Sequence, residues 1–221
     1  MVAEGVDIID IGGESTRPGA DRVSAAEEQS RVLPVIKKLS QTGVPISVDT
    51  MRAETAALAI EAGASIVNDV SGGLADDLMH ESVAEMGCPY ILMHWRGHSK
   101  DMNSRAIYTD VVSEVISEMQ SQIDLALKAG IARNNLIVDP GLGFAKEAEH
   151  NWEILDRIDE ITSLGYPVLI GGSRKRFLGG STPHEREEAT IALTKSLLDK
   201  NIWAVRVHSV KAHKDLVVSH G

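Results

Sequence analysis

The hydrophobic positions along the chain form short β-branched runs that alternate with longer amphipathic stretches. Several of these stretches end in a glycine just before the next run, as in the segments VAEGVDII, AIEAGASIV, VAEMGCPYI and ALKAGIARNNLIV. A glycine after the last helical turn can adopt the left-handed conformation that stops a helix, so each segment is typical of helix, cap and strand. The pattern therefore predicts a repeating unit of one β-strand followed by one α-helix.

Seven such strands are predicted, each followed by a helical pattern. They end near Ile11, Val48, Asp69, His94, Asp139, Gly171 and His208. Parallel strands joined by helices form either an open doubly wound sheet or a closed eight-stranded barrel. Polar residues end nearly every strand, which favours the barrel, because a doubly wound sheet gathers its functional residues at one switch point. We therefore expect an α/β fold of the (β/α)8 TIM barrel class, with residues 1–221 forming a single domain.

The beginning of the chain predicts that the first βα unit of this barrel is largely absent. Residues 1–5 match the end of a helix in the other repeats, and seven strands are one short of eight. The expectation is a chain that starts one strand late, with unpaired edges on the second and eighth strands of the barrel.

Composition narrows the classes of partner. The formal net charge of −10 argues against broad binding to nucleic acid or to an anionic membrane surface. No apolar run approaches the ~20 residues needed to span a bilayer, and no signal segment opens the chain. The single cysteine, Cys88, cannot form an internal disulfide. These features predict a soluble cytoplasmic protein that binds neither nucleic acid nor membranes.

The last predicted strand, residues 202–208, carries two cations between apolar neighbours. Arg206 and His208 alternate with Val205 and Val207, which places both cations on one face. They form either a solvated surface face or an anion site, and arginine offers a planar fork that suits phosphate oxygens. The preceding strand runs into the cations of residues 174–176. These are either a solvated charge run or part of an anion site, because cations oppose the dipole at the start of a helix.

Carboxylates and an amide end three other strands. Asp49 ends the strand PISVDT, Asp139 ends NLIVDPG, and Asn68 precedes DVSGG. Each could merely cap a helix or satisfy a turn, but their equivalent positions favour a common role. A pterin or guanine ring presents adjacent N–H groups that a carboxylate accepts, and an asparagine supplies both a donor and an acceptor. A site for such a heterocycle is therefore predicted at the strand ends.

Two aromatic residues near the strand ends have simpler interpretations. His94 has no second histidine at a ligand spacing, so a packed or hydrogen-bonded side chain is expected and no zinc site is predicted. Phe144 follows the GLG turn after Asp139 and is either a packing residue or a wall for an aromatic substrate.

Seven motifs follow one another along the chain: IIDIGGESTRPGA, PISVDT, ASIVNDVSGG, ILMHW, LIVDPGLGFAK, IGGSRKRFLG and RVHSV. Together they cover nearly the whole sequence, and in this order they resemble the dihydropteroate synthase family. That family folds as an eight-stranded barrel. It joins a dihydropterin methyl diphosphate to 4-aminobenzoate, releasing diphosphate and making dihydropteroate for folate synthesis, and sulfonamide drugs resemble its second substrate.

The resemblance implies a role for each matching residue. The side chains that would hold the pterin are Asp49, Asn68, Asp139 and Lys175. The diphosphate would be bound by Arg206 and His208, with Thr16 on the same side. The residues around the aminobenzoate would be Arg17, Pro18, Phe144 and Lys175. Catalysis would rest on Lys175, Asp49, Arg206 and His208.

The resemblance also implies a Mg2+ cofactor and a homodimer. The family's Asn ligand to magnesium lies in an N-terminal segment that we expect this chain to lack, so no residue here is predicted as a metal ligand. Helices near the C-terminus commonly form the family's dimer.

Two positions depart from the family pattern, and two other functions remain open. Ser209 stands where the family commonly has Asp, and Arg176 stands where many members have Ser. An inactive fragment or a non-catalytic pterin-binding relative is the main alternative. A folate-binding methyltransferase barrel is a further one, although it would leave the motifs ESTRPG and SRK and the cations of the last strand unexplained.

Overall fold

Strands and helices alternate along the residues that the structure, a computed structural model, describes: 1–16, 19–98 and 102–220. The strands are β1 (Ile9–Gly12), β2 (Ile46–Asp49), β3 (Ile66–Asp69), β4 (Tyr90–Met93), β5 (Leu136–Asp139), β6 (Leu169–Ile170) and β7 (Ala204–Val205). The α-helices are α1 (Ala25–Leu39), α2 (Ala53–Glu61), α3 (Met79–Met86), α4 (Val111–Lys128), α5 (Ala148–Asp156), α6 (Ile158–Thr162), α7 (Glu185–Leu197) and α8 (Val210–His220). The predicted βα repeat is confirmed, but a last strand over residues 202–208 was wrong, because β7 is only two residues long.

The glycines that the sequence marks as helix stops adopt the conformation that this role requires. Their φ angles are 81° at Gly5, 113° at Gly63, 64° at Gly87 and 104° at Gly130. In this left-handed region a side chain would clash with its own backbone, so glycine is the favoured residue. Each glycine turns the chain from a helix, or from the short 3-10 turn Val2–Glu4, toward the next strand.

The strands lie in the order of the sequence, and all are parallel. One sheet has the order β1-β2-β3-β4-β5, a second pairs β6 with β7, and a bridge between Val138 and Val168 links the two. In the described part of the chain no backbone ladder joins β1 to β7. There, Arg206 spans the gap with an ion pair to Asp10 of β1, at 2.6 Å between Nε and Oδ2.

Alternation along the strands separates two apolar layers. The outward positions pack against the helices in one large core that includes Val48, Val67, Leu92 and Val138. The inward positions form a smaller cluster, whose members are Ile66, Ile91, Ile137 and Leu169 with Ile8 and Ala204 against them. This inner cluster is the apolar floor of the barrel.

None of the helices in the described ranges is both long enough and apolar enough to cross a membrane.

Candidate active site

The polar side chains of the site are the next inward-facing residues along the strands after the apolar floor, toward the carboxyl ends. Each polar residue lies two positions after an apolar one along its strand: Asp10 after Ile8, Asn68 after Ile66, Asp139 after Ile137 and Arg206 after Ala204. Since side chains alternate with a period of two, each of these polar residues faces the same interior as its apolar partner. Asp49 lies beside Asn68 in the ladder between β2 and β3. The predicted gathering of Asp49, Asn68 and Asp139 at the carboxyl ends of the strands is therefore present.

Two carboxylates share one guanidinium at this level. Arg206 donates from Nε to Asp10 Oδ2 at 2.6 Å and from Nη2 to Asp49 Oδ2 at 3.0 Å. Asp10 also accepts hydrogen bonds from Asn68, at 3.2 Å, and from Ser47. Burial, followed by repulsion from Asp10, raises the pKa of Asp49 to about 7, although Arg206 opposes the shift. The proton of Asp49 is therefore exchangeable near neutral pH.

Asp139 and Lys175 form the second charged part of the site. Asp139 is buried and accepts the backbone N–H of Gly141 at 2.7 Å. Burial raises its pKa against the attraction of Lys175, and burial lowers the pKa of Lys175 to about 8 against the attraction of Asp139. Lys175 donates to the carbonyl of Leu142, and its Nζ lies 4.6 Å from the centroid of the Phe144 ring. Lys175 thus interacts electrostatically with the buried carboxylate and lies over the Phe144 ring.

Phe144 packs in an apolar cluster with Met51, Val70, Met93 and Trp95 at the strand ends. The side chain is only partly buried. The structure shows Phe144 as a packing residue that Lys175 partly covers, and its role as a wall for an aromatic substrate stays a prediction.

His208 lies at the end of the chain segment that leaves β7. Ser173 lies in the loop after β6, and its hydroxyl oxygen is 2.9 Å from His208 Nδ1. The same oxygen accepts the backbone N–H of His208 at 3.2 Å. The loop that carries Lys175 is thereby joined to the residue that the sequence predicts as a diphosphate ligand.

The loop after β1 carries Thr16, which is half-buried. A buried ion cluster holds the two ends of this loop, since Arg52 Nη1 pairs with Glu14 at 2.8 Å and also with Glu28 of α1. Arg17 and Pro18, both predicted around the aminobenzoate, lie outside the described residues.

The sequence analysis missed Asp10 and Lys146. Asp10 could have been found, because in the run IIDIGG it stands two residues after an inward Ile8, as Asp139 does after Ile137. Lys146 gave no such signal, since its loop has no period. Its Nζ is buried and lies 2.8 Å from His94 Nδ1, 3.1 Å from the Gly141 carbonyl and 3.1 Å from the Phe144 carbonyl.

The prediction that His94 is packed and hydrogen-bonded is confirmed. The ring is fully buried, its Nε2 lies 2.9 Å from Glu118 Oε2, and its other nitrogen faces Lys146. Burial and then the Lys146 charge lower the pKa of His94 to about 4, so the ring is neutral at pH 7. Among the side chains described, no group of three or more His, Cys, Asp or Glu residues is placed to hold a metal ion.

Comparisons with known proteins show the family to which the chain belongs. The family model described as "Pterin binding enzyme" matches residues 1–208. A dihydropteroate synthase of Mycobacterium leprae is 47% identical over 97% of this chain and 79% of its own length.

Solved structures give the same result. The Xanthomonas albilineans dihydropteroate synthase with 4-aminobenzoic acid matches with a TM-score of 0.93 and 39% identity, over 99% of this chain and 79% of the other. The enzyme from the same organism in complex with 7,8-dihydropteroate matches with a TM-score of 0.89 and 35% identity, over 99% and 79% of the two chains.

Proposed function

The chain belongs to the pterin-binding enzyme family as a dihydropteroate synthase, a transferase of folate biosynthesis, and we propose that the residues at its barrel mouth carry out the synthase reaction. The reaction joins (7,8-dihydropterin-6-yl)methyl diphosphate to 4-aminobenzoate and gives 7,8-dihydropteroate and diphosphate. The observation that carries the proposal is the inward layer of Asp49, Asn68, Asp139 and Arg206 above one apolar floor.

Asp139 and Asn68 are proposed to read the edges of the pterin ring. One carboxylate oxygen of Asp139 accepts the backbone N–H of Gly141, and the other oxygen can accept hydrogen bonds from N–H groups of the ring. Asn68 supplies both a donor and an acceptor beside it in the barrel interior. Lys175 would approach the ring from the loop after β6, because its charge interacts with both Asp139 and Asp49.

Arg206 and His208 are proposed to bind the diphosphate. A guanidinium has five N–H donors, and Asp10 and Asp49 use only two of them, at Nε and Nη2. The Arg206 side chain is 48% exposed, so its remaining donors can reach phosphate oxygens at the mouth. Charge-assisted bonds of this kind are about twice as strong as neutral ones. Thr16 is proposed on the same side of the substrate.

The proposed charges match the bond changes of the reaction. The bond between the pterin methylene carbon and the diphosphate oxygen breaks, and the electron pair leaves with the diphosphate. The lone pair of the amine nitrogen of 4-aminobenzoate then forms the new C–N bond, and the nitrogen releases one proton to solvent. Arg206 and His208 would stabilise the leaving anion, while Asp49 and Asp139 would stabilise positive charge that develops on the pterin.

The aminobenzoate is proposed to lie against Phe144 and Lys175. The aromatic ring offers an apolar face, and the ammonium above it offers a positive charge to a carboxylate substrate. Roles for Arg17 and Pro18 in this subsite remain predictions of the sequence.

A homodimer and a cytoplasmic location complete the proposal as inferences from the family resemblance, which also implies a magnesium ion. The described residues do not fit the metal, because the carboxylates of Asp10 and Asp49 are already bound to Arg206.

Replacing Arg206 tests the proposal. Arg206→Ala should lower kcat by on the order of a hundredfold, as for loss of one preorganised charge donor. Affinity for the pterin diphosphate should fall more than affinity for a pterin without phosphates. A coupled assay for dihydropteroate and calorimetric titration of both ligands measure these effects. Lys211→Ala, which removes an exposed cation on α8, is the control and should leave both unchanged. An unchanged rate in Arg206→Ala would remove this residue from the mechanism.

A further inference from the structure

Arg174 adopts a backbone conformation that is costly for its residue type. Its φ angle is 57°, in the left-handed region, where a non-glycine residue is disfavoured by roughly 1–2 kcal/mol. Such a conformation persists only where the surrounding structure imposes it. The residues on either side are Ser173, which is bonded to His208, and Lys175, which faces Asp139.

One face of α7 holds Arg174 at three places. Thr190 accepts the Arg174 backbone N–H at 3.1 Å through Oγ1, and Arg186 Nη1 donates to the Arg174 carbonyl at 3.4 Å. Glu187 Oε2 accepts from Arg174 Nε at 2.6 Å. The backbone and the guanidinium of Arg174 are therefore both fixed by the first two turns of one helix.

Glu187 is the charged member of this set. Its side chain is only 18% exposed, and burial alone would raise its pKa. Hydrogen bonds from Arg174 and Ser209 instead hold the pKa below its ordinary value. The carboxylate is thus ionised and paired at neutral pH, which makes its bond to the guanidinium a strong one.

The other partner of the guanidinium is neutral. Arg174 Nη2 donates to Ser209 Oγ at 3.0 Å. Ser209 lies one residue beyond His208 and replaces the Asp expected from the family pattern, so the counter-charge for Arg174 comes from α7. Behind Glu187, the buried His213 of α8 places Nε2 3.6 Å from Glu187 Oε1 and bonds Thr194 through Nδ1, at 2.8 Å.

We propose that Glu187 is a positioning residue for the synthase reaction, acting through Arg174. Its carboxylate holds the guanidinium, the guanidinium fixes the left-handed turn, and the turn sets Ser173 against His208 and Lys175 against Asp139. Glu187 itself touches no substrate. This inference rests on the proposed function for its kinetic consequence, but its structural consequence at His208 is independent of turnover.

The first test is kinetic and uses the full chain. Glu187→Gln should lower kcat by roughly ten- to a hundredfold, the range that a displacement of about 1 Å produces. The KM for 4-aminobenzoate should change less than kcat does. Glu187→Gln combined with Ser209→Asp returns a carboxylate to the same guanidinium from the other side and should recover most of kcat. Glu188→Gln removes the neighbouring exposed acid of α7 and should behave as the parent.

The second test reads the position of His208 without the reaction. The imidazole signals of His208, assigned through His208→Gln, should shift in the NMR spectrum of Glu187→Gln and return in the double variant. Absence of turnover in the parent chain would count against the proposed function alone, and the His208 signals would still decide the positioning role. Parent-like kcat and His208 signals in Glu187→Gln overturn the inference, even if the melting temperature falls. A loss that Ser209→Asp does not recover, or that Glu188→Gln reproduces, overturns it as well.

Discussion

At the residue scale, the main feature of the site is that its three carboxylates have only two nearby cations, Arg206 and Lys175. Asp10 and Asp49 share Arg206, and Asp139 faces Lys175 from a buried position. Burial makes each ionised carboxylate costly, and a second carboxylate beside it adds to the cost. Asp49 shows the result, since its pKa rises from 3.8 to about 7. A cationic substrate, or one rich in N–H groups, would offset this cost by pairing with these carboxylates.

The pH dependence of stability follows from the Asp49 shift. Between pH ~4 and ~7 the unfolded chain has released this proton while the folded chain keeps it, so the free energy of unfolding falls as pH rises. Asp49→Asn should lessen that fall by on the order of 1 to 4 kcal/mol. Urea unfolding at several pH values between 4 and 7.5 measures the difference, in which the other titrating groups cancel. Glu54→Gln, at an exposed position of α2, is the control, and equal slopes for both variants would contradict the assignment.

At the element scale, the loop between β5 and α5 is organised by one buried lysine. Lys146 offers three N–H donors, and its three partners are His94 Nδ1 and the carbonyls of Gly141 and Phe144. His94 accepts from Lys146 and must therefore donate its other N–H to Glu118 on α4. These hydrogen bonds link the loop that carries Phe144 to the end of β4 and to α4. Burial lowers the pKa of Lys146 to about 7.

Removing this lysine should loosen the proposed aminobenzoate subsite. Lys146→Met removes the donor that His94 Nδ1 and the Phe144 carbonyl share, at a cost of about 1–3 kcal/mol each before relaxation. The Gly141 carbonyl keeps the backbone N–H of Phe144, at 3.0 Å. We expect a lower melting temperature and a KM for 4-aminobenzoate that rises about tenfold, with a smaller change for the pterin diphosphate. Steady-state kinetics with each substrate in excess separate the two values. Lys128→Met, at the exposed end of α4, provides the comparison. A lower melting temperature with an unchanged KM would show that the loop holds its shape without Lys146.

At the scale of the whole molecule, the sequence predicts the repeat better than the tertiary contacts. Six of the seven predicted strand ends, and with them the places of Asp49, Asn68 and Asp139, follow from a period of two and from glycine stops, which are local rules. The shortness of β7 does not, because it depends on pairing with the two residues of β6. The left-handed Arg174 is equally hidden, since its conformation is imposed by a helix that begins eleven residues later. Lys146 is hidden for the same reason, because its partners are His94, which follows β4, and carbonyls of its own loop.

The edge between β1 and β7 is where these tertiary contacts matter most for the barrel. In the described residues this edge is spanned by the Asp10–Arg206 ion pair rather than by a backbone ladder. Asp10→Asn keeps the shape of the side chain but removes its charge. We therefore expect faster amide hydrogen exchange in β1 and β7 than in the parent, with little change in β3 and β4, because local opening begins at the least-bonded edge.

Mass spectrometry of peptides covering the four strands measures this exchange. Asp7→Asn is the matched control, since it removes an exposed carboxylate that pairs with Lys214 of α8, and exposed pairs contribute little to stability. Exchange that rises equally in all four strands of Asp10→Asn would mean that Asp10 stabilises the molecule globally. Exchange confined to β1 and β7 would show that a site residue also holds the edge of the barrel, so that binding an anion at Arg206 acts on the same pair of strands.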